Sequence, residues 1–112
     1  MPVVGGKGAM DCVNRLTVVG PLPDRRRFAR HFRHHDGWND ILKALHIDLL
    51  EQSIDRHAWQ FASRRPALNS LQDFSLRWGA LTFFLDYDQE DRRWKGLARA
   101  RHGRLRHVRF RY

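Results

Sequence analysis

The sequence holds a single cysteine, Cys12, so neither an intramolecular disulfide nor a cysteine-rich zinc site can form within the chain. No apolar run approaches the ~20 residues that a membrane-spanning helix needs, and Met1 to Ala9 lack the basic start and apolar stretch of a signal peptide. A cytoplasmic protein without a membrane partner is therefore expected. The zinc-hydrolase pattern His-Glu-x-x-His is absent, and Gly5, Gly6 and Gly8 follow no strand and make no phosphate loop. Acidic residues are missing altogether from positions 92 to 112, which carry nine Lys and Arg.

What is present argues for a packed core. The 42% hydrophobic fraction and four tryptophans are too rich for a disordered polycation. A chain of 112 residues suits one domain. Residues 1–9 read as a flexible leader and 10–112 as the domain, with Met10 either the real start or the end of a loop.

Alternation of Leu16 and Val18 with Arg15 and Thr17 predicts a strand over Cys12 to Val19, stopped by Gly20 and Pro21. Asp24 can cap a helix whose apolar stripe is Phe28, Ala29 and Phe32 and whose polar face is Arg25, Arg26, Arg27, Arg30 and Arg33. Ile41, Leu42, Leu45, Leu49 and Leu50 have helical spacing and predict a second helix over 38–54. A short strand is expected over His57 to Ser63, ended before Pro66, and a third helix over Leu68 to Trp78, capped by Gly79. Leu81 to Tyr87 is the clearest strand. Trp94 to Arg101 and Arg104 to Tyr112 pair as a hairpin across His102 and Gly103.

The excess of 21 Lys and Arg over 12 Asp and Glu gives a net charge of +9, a field that favours polyanions. Read by apolarity, Trp94, Gly96, Ala98 and Ala100 with Val108, Phe110 and Tyr112 face the core. Lys95, Arg99 and Arg101 with His107, Arg109 and Arg111 then face outward, and Leu105, Arg104 and Arg106 break the pattern near the turn. With helices on one side of the sheet only, Arg15 and Phe84 join this basic face. Nucleic acid is the first expected partner and an acidic protein surface the second. The edge strand 104–112 also offers a route to a homodimer.

Other constellations carry less. His31 and His35 lie four apart beside His34 and Asp36, but five arginines in the same helix repel a cation, so no metal is expected. His57 has only Asp55 as a neighbouring carboxylate and reads as a surface or edge-strand residue rather than a general base. Asp86, Asp88, Glu90 and Asp91 read as a solvated turn, and Cys12 as an inert thiol. No catalytic set and no cofactor follow, and an enzyme is not the expectation.

The string Cys12-Val-Asn-Arg-Leu-Thr-Val-Val-Gly20 resembles the opening of the YubB-type ferredoxin-like domain family of phage and plasmid proteins. Trp59-Gln-Phe-Ala-Ser, Pro66, the helix to Trp78, Leu81-Thr-Phe-Phe-Leu-Asp-Tyr87 and Trp94-Lys-Gly96 are similar to that family's later segments in order and spacing. The resemblance implies an α+β, ferredoxin-like two-layer sandwich: a mainly antiparallel sheet, helices on one face and a C-terminal β-hairpin. It implies no catalytic residues.

Overall fold

A computed structural model describes residues 12–33 and 47–112. The leader expected over 1–9, Met10, the cluster His34, His35 and Asp36, and the first part of the 38–54 helix lie outside the described residues. In chain order the elements are β1 (Cys12–Val19), α1 (Leu22–Arg33), β2 (Ile47–Gln52), β3 (Arg56–Ser63), α2 (Leu68–Arg77), β4 (Thr82–Gln89), a 3-10 turn (Glu90–Arg92), β5 (Trp94–Arg101) and β6 (Arg104–Arg111). The strands form one six-stranded sheet in the order β2-β3-β1-β4-β5-β6, each neighbour antiparallel. The fold is α+β.

Alternation decides which side of each strand is buried. Leu16 and Val18 of β1, Trp59 and Phe61 of β3, and Phe83 and Leu85 of β4 all project to one side, where both helices pack. Phe28 of α1 sits at the centre, with its ring centroid 5.0–5.8 Å from those of Phe32, Trp59, Phe74, Trp78 and Phe83. Phe74 belongs to α2 and Phe83 to β4, so this one ring joins both helices to the sheet. No described element covers the other side.

Buried polar groups tie the layers together. Asn14, inside β1, donates to Ser63 Oγ at 2.7 Å and accepts from the backbone N–H of Ala67 at 3.2 Å. Ala67 precedes α2 and has no side-chain cap of its own, so β1 supplies a hydrogen bond that the helix start lacks.

Arg25 corrects the reading of α1. It belongs not to the polar face but to the buried stripe with Phe28 and Phe32, at 1% exposure. Its Nε donates to the Gly20 carbonyl at 2.7 Å, its Nη1 to the Ser53 carbonyl at 3.0 Å and to His57 Nδ1 at 2.9 Å, and its Nη2 to the Ile54 carbonyl. The long side chain reaches past the helix, and its buried guanidinium donors are satisfied by three backbone carbonyls and a histidine ring.

The helix expected to run on to residue 54 is replaced by β2 over 47–52. Ile47 and Leu49 lie beside Phe61 and Trp59 of β3, and a register shift between Leu49 and Glu51 accommodates the extra residue Leu50. The Leu49-Leu50 doublet thus mimics helical spacing across a bulge. The turn back to β3 is local chemistry: Ser53 Oγ accepts from the N–H groups of Asp55 and Arg56, both at 3.2 Å. Arg25 grips the same turn from α1, and β2 gains the hydrogen bonds of the β3 edge.

Gly96 marks a close approach. A Cβ there would fall 2.2 Å from the ring of buried Tyr87, whose hydroxyl shares a 2.6 Å hydrogen bond with His107 Nε2. Gly96→Ala is therefore expected to displace the ring and lower unfolding stability by about 1–3 kcal/mol in urea titrations. An unchanged midpoint would show that the ring swings aside without cost.

Candidate nucleic-acid interface

The C-terminal hairpin turns through two residues, His102 and Gly103, with φ of 52° and 78°. Positive φ at both central positions matches the twist of the flanking strands, and glycine takes it without strain. The turn is also clamped from α2. Gln72 Nε2 donates to the Gly103 carbonyl at 2.8 Å, and the Gly103 N–H donates to Ser75 Oγ at 2.9 Å. Leu76 lies where a Gly103 Cβ would stand.

This turn fixes which residues face each other, and it corrects the outward face expected for β6. Trp94, Gly96, Ala98 and Ala100 pair with Arg111, Arg109, His107 and Leu105, whereas Lys95, Leu97, Arg99 and Arg101 pair with Phe110, Val108, Arg106 and Arg104. Directly paired residues share a face. His107, Arg109 and Arg111 therefore lie on the helix side, and Val108 and Phe110 on the open side. Tyr112 is exposed rather than turned to the core, and its hydroxyl donates to Asp88 Oδ1 at 2.7 Å.

The three displaced basic residues have other work. Arg109 and Arg111 lie over the Trp94 ring at 4.1 and 5.3 Å from its centroid. His107 meets Tyr87, and burial, followed by the charge of Arg109, lowers the His107 pKa. Burial also raises that of the Tyr87 phenol, so both shifts favour the neutral forms.

Arg15, Phe84, Lys95, Arg99 and Arg101 are brought together on the open face as expected. Arg15 stands opposite Asp86, and Phe84 opposite Arg99. Apolarity alone missed Arg104, Arg106, Val108 and Phe110 on this face; the length of the turn, counted residue by residue, would have found them.

At the hairpin tip, Arg99, Arg101, His102, Arg104 and Arg106 line a hollow of about 370 Å³ with no carboxylate in its wall. Arg101 also reaches Thr82 Oγ1 at 3.4 Å. Two like-charged cross-strand pairs, Arg99 with Arg106 and Arg101 with Arg104, are consecutive on one face. Further along, two shallow hollows of about 320 and 330 Å³ follow β4 and β5.

Among the described residues, no group of three or more His, Cys, Asp or Glu can hold a metal. His57 is neither an edge nor a surface residue but is buried, stacked 5.6 Å from Trp59 and bonded to Arg25. Cys12 is buried in β1. No described helix is long and apolar enough to cross a membrane.

Burial, then the charges of Arg25 and Arg26, hold His57 below its ordinary pKa of 6.5. His107 shifts in the same direction. As pH falls through about 6.5 the unfolded chain takes up protons that the folded chain still refuses, so stability is full above that value and declines below it. Urea midpoints should drop on acidification from about pH 8 to pH 5, and less so in His57→Gln, which keeps an acceptor for Arg25. A wild-type midpoint that is flat across this range contradicts the assignment.

Comparison with protein-family models, with curated proteins and with solved structures yields no match to this chain.

Proposed function

We propose that the chain is a non-enzymatic nucleic-acid-binding module that holds its ligand on the open face of the sheet. The observation that carries this reading is the two consecutive Arg–Arg cross-strand pairs at the hairpin tip, around a hollow no carboxylate lines. Like charges directly opposite each other cost roughly 0.2–1 kcal/mol per pair relative to neutral ones. Four arginines paired across the strands around one hollow offer forks that phosphate oxygens can bridge, which relieves the repulsion. The net charge of +9 adds a long-range pull on any polyanion.

The strand order β2-β3-β1-β4, with helices following β1 and β3, supports a ferredoxin-like reading of the first four strands, to which the basic hairpin is an extension. Together with the YubB-type resemblance, it supports a small accessory protein of phage or plasmid origin. One buried thiol suits the reducing cytoplasm.

Replacing one arginine by a carboxylate separates stability from binding. Arg106→Glu turns the contact with Arg99 into an ion pair, so unfolding stability should rise by about 0.5 kcal/mol while affinity for labelled DNA and RNA at low salt falls. The slope of log affinity against log salt should become shallower by about 1 or more. Unaltered affinity in Arg106→Glu, or no binding by the wild type at low salt, would remove this function.

A further inference from the structure

The open face is not uniformly basic. An exposed apolar strip crosses it: Val13 (46%), Phe84 (39%), Leu97 (59%), Val108 (65%) and Phe110 (48%). Five such side chains gathered on one face form a patch of the kind that marks a binding surface. They floor the two shallow hollows. One holds Phe84 and Val108 beside Arg99 and Arg106, the other Val13 and Phe110 beside Arg15 and Lys95.

Asp86 and Leu97 line both hollows. A carboxylate between two sets of cations repels phosphate from the middle of the strip and confines it to the rim. The same carboxylate accepts a hydrogen bond from an exocyclic amino group of a base. The second carboxylate nearby, Asp88, already accepts from Tyr112. A duplex presents phosphate and sugar to a flat sheet and keeps the faces of its bases stacked inside, so it would leave these apolar side chains unmatched.

Resting on the nucleic-acid reading above, we infer that the ligand is a single strand. Its backbone follows the arginines of the hairpin tip, its bases lie on Phe84 and Phe110, and Asp86 selects an amino-bearing base such as cytosine over uracil or thymine. Stacking on an aromatic ring tolerates any base, so the selection comes from the carboxylate alone.

The test uses three labelled probes of equal length, oligo-C, oligo-U and a mixed-sequence duplex, against the wild type, Asp86→Asn and Phe84→Ala. Both side chains are exposed, so both variants keep the core intact. The wild type should bind oligo-C roughly tenfold more tightly than oligo-U, and both single strands more tightly than the duplex. Asp86→Asn should bring the two single strands to near-equal affinity. Phe84→Ala should weaken both single strands by roughly tenfold and leave the duplex unchanged. Equal or tighter duplex binding, a wild-type ratio near one, or a ratio that survives Asp86→Asn overturns the inference while leaving nucleic-acid binding in place. Failure of all three probes at low salt overturns the broader reading instead, and the strip would then belong to a protein interface.

Discussion

The two-residue turn at His102 and Gly103 is the constraint on which the open face depends. With both φ angles positive and the glycine bonded to Gln72 and Ser75, the turn cannot take up or release a residue without losing its geometry and its anchorage to α2. A slip of one residue in β6 would move Val108 and Phe110 to the helix side and return Arg109 to the open side. In most strands the core forbids such a slip, because burial rewards one parity only. In β6 it does so only weakly: Leu105 is the one apolar residue of the strand that packs against the core, His107 adds its bond to Tyr87, and the residues from 106 on are otherwise exposed. The turn therefore decides what packing leaves open.

The opposite hairpin is held by the same device with different chemistry. Arg25 of α1 binds the β2-β3 turn through the carbonyls of Ser53 and Ile54, as Gln72 and Ser75 of α2 bind the β5-β6 turn. Each helix thus buries an apolar stripe on the centre of the sheet and sends polar side chains to a turn near one of its ends. A guanidinium at this depth has no carboxylate among its hydrogen-bond partners, and its charge is instead spread over three carbonyl dipoles and a histidine ring. The arrangement requires His57 to be neutral, since a protonated ring would offer Arg25 no acceptor and a second buried positive charge.

Most of the elements were legible in the sequence, because they obey one period throughout. β1 and β5 have the bounds that alternation gives, and α2 differs by a single residue from the run Leu68 to Trp78. The differences share a cause: side-chain type points one way where backbone geometry decides the other. Leu49 and Leu50 have helical spacing, yet a bulge and a serine-held turn make β2 a strand. Arg25 and His57 are polar and looked exposed, yet hydrogen bonds allow both in the core. Val108 and Phe110 are apolar and looked buried, yet the turn sets them on the open face. For the candidate site this means that Arg15, Phe84, Lys95, Arg99 and Arg101 were found by alternation along single strands, while the partners across the hairpin needed the register.

The register also changes the meaning of the basic hairpin. On the helix side, Arg109 and Arg111 find a partner in the Trp94 ring, so their charge is part of how the hairpin's open end is held. On the open side, the paired arginines at the tip face one another across the strands. Edge protection alone does not call for that arrangement: β6 carries four arginines along an outer edge, and one or two would oppose pairing with another strand. By linkage, an anion bridging the tip arginines, as in the proposed function, would bind the folded chain and not the unfolded one, and the repulsion between them would return as added affinity for the ligand that relieves it. The hairpin is anchored at this same tip, where Gln72 and Ser75 of α2 bond the turn, so the tip arginines spring from backbone held in place without a ligand.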